Sequence, residues 1–440
     1  MRSAVVLFTR DLRVHDHPAL AQAVDEAEFV VPLFVFDEAL ASSPNRTRFL
    51  LDSLGDLRNS IRRLGGTLAV RRGDVVAETM RVVAEVGAEA VFLSADVSAY
   101  AQARQQRLAV ERVRVSALPG VTVVPPGELR PAGGDHFRVF TPFWRRWSSA
   151  ELRSAQGRPR RVATPSGVRP GRLPALRELV RGQTSRDLPP GGETAGRRRL
   201  SRWLRSGLAD YGTRQDDLAA DGTSRLSPYL HLGCVSAREV VERASARRGA
   251  EPFLRQLAWR DFFHQLLAAR PAASRDDYRP RGDRWNDDLE GLRAWKEGRT
   301  GFPLVDAGMR QLAREGWMHN RARLVAGSFL TKDLYVDWRL GAAHFRDLLV
   351  DGDVAQNSGN WQWIAGTGAD TRPNRVLNPV LQATRHDPDG HYVRRFVEEL
   401  ADVPAPMILA PWRHGGVPGY PAPLVDHAEA AGRFRRRRRP

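Results

Sequence analysis

The sequence predicts an α/β domain joined to an all-α domain, and three observations carry that reading. Short β-branched apolar runs alternate with helical stretches up to about residue 124. After Gly196 strand patterns almost vanish and helical stretches follow one another. Between the two regions lies a stretch rich in Pro, Gly, Ser and Arg that reads as a connector. A chain of 440 residues is also too long for one typical core.

Strands are expected at Ala4–Thr9, Phe29–Phe36, Leu68–Arg72, Ala90–Ser94 and Val121–Val124. Helices are expected between them at Pro18–Ala27, Arg46–Leu64, Val75–Val86 and Tyr100–Ala117. Four βαβ repeats predict a doubly wound, five-stranded parallel sheet with helices on both faces. Gly65, Gly66 and Gly87 stand where helices should end. In the connector, Phe140–Trp147 (FTPFWRRW) reads as a short docked helix. Later helices are expected at Gly196–Leu208, Tyr229–Leu232, Ser236–Arg247, Glu251–Ala269, Leu289–Glu297, Pro303–Glu315, Asn320–Lys332, Trp338–Leu349 and Asn357–Ala365. The expected division is 1–128 for the sheet domain, 129–195 for the linker, 196–429 for the helical domain and 430–440 for a disordered Arg-rich tail.

The formal net charge of +17 favours a polyanionic partner, although Lys296 and Lys332 are the only lysines and Arg supplies the rest. Cys234 is the only cysteine, which excludes an internal disulfide and any Cys-ligated metal cluster and fits a reducing cytoplasm. The N-terminal apolar run is too short for a signal peptide, and no span of about 20 apolar residues suits a membrane. No metal site is expected.

Two negatives narrow the chemistry. Neither lysine is followed by Ser or Thr, so there is no phosphate-binding P-loop. The first strand ends in Thr9-Arg10-Asp11-Leu12-Arg13 and not in a glycine fingerprint, so the sheet does not bind a dinucleotide in the usual way. A sheet of this kind still offers a crevice at its topological switch point.

Three clusters carry the functional reading. Between Gly316 and Gly368, Trp317, Trp338, Trp361 and Trp363 interleave with Asn320, Arg323, Asp351, Asp353 and Asn357. Such a mixture reads as a pocket for a large aromatic ligand with hydrogen-bonding edges, against the simpler reading of a helical core. The stretch DGTSRLSPYLHLG, Asp221 to Gly233, puts Thr223, Ser224, Arg225, Leu226 and Ser227 before a helix start, with Ser227 as the expected N-cap. Alone, it suits either a pyrophosphate or an ordinary capped turn. In FLRQLAWRDFFHQL, Phe253 to Leu266, Gln256, Trp259 and Arg260 share one helical face.

Together these residues resemble the photolyase/cryptochrome family over nearly the whole chain, and within it the class I cyclobutane pyrimidine dimer photolyases of the streptomycete, deazaflavin-antenna type. The resemblance implies light-driven DNA repair: reduced, anionic FAD gives one electron to a flipped-out dimer in UV-damaged DNA, the cyclobutane ring opens, and the electron returns. It implies that Tyr211, Thr223, Ser224, Arg225, Leu226 and Ser227 hold the FAD pyrophosphate end. Arg260, Asn320, Arg323, Asp351, Asp353 and Asn357 would surround the flavin, with Arg323 paired to Asp351 and Asn357 beside the reactive central-ring nitrogen. Gln256, Trp259, Leu324 and Trp363 would meet the lesion together with Asn320. Many members carry Glu where Gln256 stands and Met where Leu324 stands. Trp361, Trp338 and Trp285 match the proximal, middle and outer stations of the family's electron-transfer chain. Arg46 and Asp96 match antenna contacts, and the resemblance favours 8-hydroxy-5-deazaflavin over methenyltetrahydrofolate. A monomer in the cytoplasm, associated with the nucleoid, is implied. The alternatives are a cryptochrome-type photoreceptor and a (6-4) photolyase; the latter uses a His pair where His319 is followed by Asn320.

Overall fold

The computed structural model describes residues 1–37 and 43–438. Five strands, β1 (Ser3–Phe8), β2 (Phe29–Phe36), β3 (Ala69–Arg72), β4 (Ala90–Ser94) and β5 (Arg114–Leu118), form one sheet in the order β3-β2-β1-β4-β5. All neighbours are parallel, with Ala4 in register with Val30 on one side and Ala90 on the other. β1 and β4 are buried throughout, which is why they read as continuous apolar runs without alternation.

The crossover helices start where polar caps sit before proline or acidic turns. In α1 (Pro18–Glu26) the His17 ring accepts from the Leu20 amide, and in α2 (Pro44–Arg63) Ser43 accepts from the Arg46 amide ahead of Pro44. Asp74 and Ser98 cap α3 (Val75–Val86) and α4 (Ala99–Ala109) in the same way. Gly87 closes α3 with φ of 59°, a conformation costly for any side chain with a Cβ.

One strand is not where the sequence placed it. The fifth strand is Arg114–Leu118, and the expected helix to Ala117 stops at Ala109. Val113 and Val115 alternate with Arg114 and Ser116, a period-two signal hidden by the helical stretch before it. The apolar run Val121–Val124 lies outside the sheet, because the buried Asp261 carboxylate accepts from the Val123 and Val124 amides, each at 3.0 Å. A side chain there replaces a strand partner. Trp147 adds a third donor at 2.9 Å, and burial raises the Asp261 pKa.

The described residues group into two compact units. The first joins Met1–Gln183 to Pro189–Ala209 and Ser224–Pro271, so the helices Glu193–Ser206, Ala237–Ser245 and Glu251–Ala269 belong with the sheet. This division differs from the linker and domain boundaries expected at 128 and 196. The second unit comprises Thr184–Leu188, Asp210–Thr223 and the chain from Ala272 onward. Its core is built on Trp295, Trp338, Trp361, Phe302, Phe329 and Phe345. The expected helix Asn320–Lys332 is α-helical to Ser328 and finishes in a π turn, Phe329–Asp333.

The Arg-rich end is also a correction. His427–Arg437 is a helix capped by Asp426, with Ala430, Ala431 and Phe434 buried, and not a disordered tail. Beyond it, Arg438 pairs with Asp283, both side chains at most 3% exposed. Arg439 and Pro440 lie outside the described residues. Among the described residues no helix is long and apolar enough to cross a membrane.

Candidate functional site

In the first unit the helix Glu251–Ala269 carries three predicted residues at graded depth. Gln256 is exposed, Trp259 half-buried and Arg260 buried. Phe140, from the helix Phe140–Ser148, stacks on Trp259 with centroids 3.8 Å apart and planes 6° apart. Arg255 lies over both the Phe140 and Trp144 rings. Trp259 is thus held as a fixed indole plane, one side of it backed by Phe140. Arg260 donates to the carbonyls of Val121 at 2.8 Å and Leu230 at 3.4 Å.

The loop before the helix Ser227–His231 departs from the expected cap. Ser227 is its first residue and Leu226 the N-cap, without a side-chain capping bond. Ser224 instead accepts from the Leu226 amide at 3.3 Å, and Arg225 has φ of 49°. Non-glycine residues tolerate that conformation only where the surroundings impose it.

The sheet's switch point falls between β1 and β4. Just past their carboxyl ends, Arg10 and Asp96 form an ion pair at 3.3 Å, where ligands of doubly wound sheets bind. Nearby on α4, Arg104 is 6% exposed, and its Nε and Nη2 have no hydrogen-bond partner among the described residues. Burial lowers its pKa while Asp96 raises it. Arg46 sits in the first turn of α2.

In the second unit the segment Gly316–Gly368 resolves into helices that aim its polar residues. Arg323 donates to both Asp351 oxygens, at 2.9 and 3.2 Å, and to the Met318 carbonyl, so the expected pair is present. Asp353 caps the helix Val354–Ala365 by accepting from the Gln356 amide. Asn357 sits one turn into that helix, its Nδ2 donating to the Ala342 carbonyl at 2.9 Å. That bond turns the amide oxygen away from the helix Trp338–Leu348 that carries Ala342. Asn320 and Leu324 lie at the surface side of their helix, exposed and half-buried respectively. His319 is buried and accepts from the Arg321 amide, which makes it a helix cap.

Tyr211 is buried, and burial raises its phenol pKa. Thr223 Oγ1 is buried and has no hydrogen-bond partner among the described residues, an orphan that a bound ligand's polar group would satisfy. A polar cleft of about 580 Å³, lined among others by Asp216, Asp217, Arg385 and His391, contains none of the predicted residues. Among the described residues no cluster of His, Cys, Asp and Glu could hold a metal ion.

The three indoles occupy distinct settings. Trp361 is buried and its ring covers Gly341, where a Cβ would overlap it. Trp338 is 1% exposed and donates to Asp277 at 2.8 Å, with Arg339 over its ring. Trp285 is half-buried and packs on Tyr335, centroids 4.9 Å apart. Trp363 carries Arg375 over its ring at 5.3 Å. Phe140, Asp277, Tyr335, Arg104 and the Ala342 carbonyl were not legible as site groups. Phe140, Asp277, Tyr335 and the Ala342 carbonyl make contacts distant in sequence, whereas Arg104 lies over Tyr100 one turn away on its own helix, and the FTPFWRRW motif was a signal for Phe140 alone.

Comparison with known proteins fixes the family. A family model described as DNA photolyase matches residues 4–164, and one described as the FAD binding domain of DNA photolyase matches residues 253–439. The deoxyribodipyrimidine photo-lyase of Streptomyces griseus is 54% identical, over 100% of this chain and 99% of its own length. The crystal structure of a bacterial class III photolyase from Agrobacterium tumefaciens matches with a TM-score of 0.92 at 32% identity, covering 99% of this chain and 97% of that one. An archaeal photolyase from Sulfolobus tokodaii, solved with two FAD molecules, matches with a TM-score of 0.88 at 30% identity, covering 99% of each chain. The chain belongs to the photolyase/cryptochrome family.

Proposed function

We propose that this protein is a deoxyribodipyrimidine photo-lyase that reverses cyclobutane pyrimidine dimers in UV-damaged DNA under light. The whole-length 54% identity to the Streptomyces griseus enzyme carries this reading. The residues present fit FAD: Thr223 offers an unsatisfied buried hydroxyl, Asn357 an amide oriented by Ala342, and Arg323 a guanidinium braced by Asp351. Held there in its reduced form, FAD would supply light-driven one-electron chemistry for opening the dimer. Tyr211 and the Thr223–Ser227 loop bind the pyrophosphate end, with Arg225 supplying charge. Asn320, Arg323, Asp351, Asp353 and Asn357 orient the ring, and Arg260 steadies the helix behind Trp259. Trp259 and Trp363 stack on the extruded bases, Gln256 and Asn320 hydrogen-bond their edges, and Leu324 excludes water. A damaged, weakly stacked pair is cheaper to extrude (photolyases are a named example of this principle). Trp361, Trp338 and Trp285 pass an electron inward from the surface.

The antenna we assign is 8-hydroxy-5-deazaflavin, with Arg46 and Asp96 as contacts. Among the described residues the buried Nε and Nη2 of Arg104 have no hydrogen-bond partner, which supports an anionic ring at the switch point. Absorption and mass of the chromophore released on denaturation test this. The protein acts as a monomer in the cytoplasm on the nucleoid.

The deciding experiment follows thymine recovery from an oligonucleotide carrying one thymine dimer, with reduced, FAD-loaded protein under blue light and in the dark. Light-dependent recovery is expected. No recovery with verified reduced FAD rejects the assignment in favour of a photoreceptor or a (6-4) enzyme.

A further inference from the structure

Lys332 stands in the core of the second unit, 3% exposed, where packing alone would be served by an apolar side chain. It extends from the π turn Phe329–Asp333, an irregularity of helices that recurs at functional sites. Its Nζ lies 5.4 Å from the centroid of the Phe434 ring. Its hydrogen bonds go not to a carboxylate but to two carbonyls of one loop, Pro373 at 3.3 Å and Arg375. Taking a lysine out of water is costly, so this contact is kept against a penalty. Charged or neutral, the amine has at least two N–H groups, one for each carbonyl.

The loop needs such a clamp. From Asp370 to Leu377 the chain forms neither helix nor strand, so no ladder of backbone bonds holds these carbonyls. Ser328, at the start of the π turn, adds a second tether by accepting from the Leu377 amide at 3.2 Å. Asp370 closes the other end by accepting from the Arg372 amide at 2.8 Å. A Cβ on Gly366 would stand 2.3 Å from the Pro373 carbonyl oxygen, so the loop packs directly on backbone there. From this loop Arg375 sets its guanidinium over the Trp363 ring, 5.3 Å from the centroid. Ser328, Lys332, Trp363, Asp370 and Arg375 surround a space of about 10 Å³, room for one water at most. A shift of the loop is therefore a shift of Arg375 against the indole.

We propose that Lys332 is a positioning residue for lesion recognition: by holding the Pro373 and Arg375 carbonyls it fixes the Arg375 guanidinium on one face of Trp363 and leaves the other face set for a base. This rests on the reading of Trp363 as a wall of the lesion pocket. Lys332 touches neither flavin nor DNA in this role. It acts through the loop, and its effect belongs to the damaged pair that Trp363 meets rather than to phosphate contacts along the duplex.

The test is a double-mutant cycle on the full-length, FAD-loaded protein in the dark. It reads affinity for a duplex carrying one thymine dimer and for the same duplex undamaged, at one fixed salt concentration. Lys332→Met keeps the length and apolar volume of the stem and removes both bonds. It should weaken dimer binding about 10-fold and undamaged binding less than about 2-fold. In a Trp363→Ala background the same substitution should cost less than about 2-fold, because the ring it positions is gone. Equal losses on both duplexes, or equal losses with and without Trp363, overturn the proposal and leave Lys332 a role in the fold alone. If Trp363→Ala binds the dimer as well as the wild type does, the reading of Trp363 falls and this proposal with it. Should Lys332→Met not fold, Ser328→Ala decides, since it loosens the Leu377 end of the same loop without touching the lysine. A smaller loss confined to dimer binding supports the proposal, and an unchanged preference for the dimer rejects it.

Discussion

Asn357 Nδ2 donates to the carbonyl of Ala342 at 2.9 Å, so turning the amide over would set its oxygen against the carbonyl oxygen. The side chain therefore presents its oxygen, an acceptor, toward any ligand on its other side. An acceptor favours the protonated form of a ring nitrogen over the bare one. Asn357→Ala is expected to speed reoxidation of the bound reduced flavin while leaving affinity for dimer-containing DNA within about threefold, the scale of a change under 1 kcal/mol. Flavin absorbance in air and gel retardation check the two halves. Equal loss of DNA binding would remove Asn357 from this role.

Gly341 is where Trp361 packs on the helix Trp338–Leu348, and a Cβ there would also overlap Leu330. Gly341→Ala is expected to destabilise the protein by about 1–3 kcal/mol, the usual cost of overpacking a filled core. It should also displace the indole and slow photoreduction of oxidised FAD. Trp361→Phe should block that photoreduction, yet enzyme reduced beforehand should still repair. Melting temperature, photoreduction rate and repair yield separate these effects. A Trp361→Phe protein that fails even when reduced beforehand would show that Trp361 does more than pass an electron.

Local patterns made the fold legible and left its long-range contacts hidden. β2, β4, α3 and the helix Glu251–Ala269 fall within their expected bounds, because apolar runs, caps and glycine stops are written into adjacent residues. Val121–Val124 misled because nothing local shows that Asp261, more than a hundred residues later, takes its amides. The helix His427–Arg437 was masked by its arginines, whose charge hid Ala430, Ala431 and Phe434 on the buried face. The polar residues around Asn357 were visible as unlikely companions for tryptophan. The groups that orient them, such as the Ala342 carbonyl, are backbone atoms without a sequence signature.

Phe140 backs Trp259 as a parallel ring 3.8 Å away. Its removal frees the indole to tilt without touching a hydrogen-bonding group. Phe140→Leu keeps most of the buried apolar volume and loses the stack, worth about 0.5–1.5 kcal/mol for an aromatic pair. Affinity for dimer-containing DNA should fall about 2–10-fold. Affinity for undamaged DNA, governed by phosphate contacts, should not change. Competition binding at one fixed salt concentration checks this, and an equal fall for both DNAs would mean that Trp259 does not read the lesion.

Lys332 is one of only two lysines and is 3% exposed, donating to the Pro373 carbonyl at 3.3 Å and to the Arg375 carbonyl. Burial pushes its ammonium down to about 7, with Asp370 and Asp333 acting against Arg438 and Arg375. Between about 7 and the ordinary lysine value of 10.5, the unfolded chain keeps a proton that the folded chain has released. Stability from this group therefore rises with pH across that window and is lost as pH falls through 7. The span is worth a few kcal/mol, at about 1.4 kcal/mol per pH unit. Lys332→Met retains the length and apolar stem but cannot titrate, so its melting temperature should climb less steeply than the wild type's from pH 7 toward pH 10. Taking the difference between the two proteins cancels the titration of every other group. Parallel curves would show that Lys332 stays charged in the fold, its ammonium held by the two carbonyls strongly enough to offset its burial.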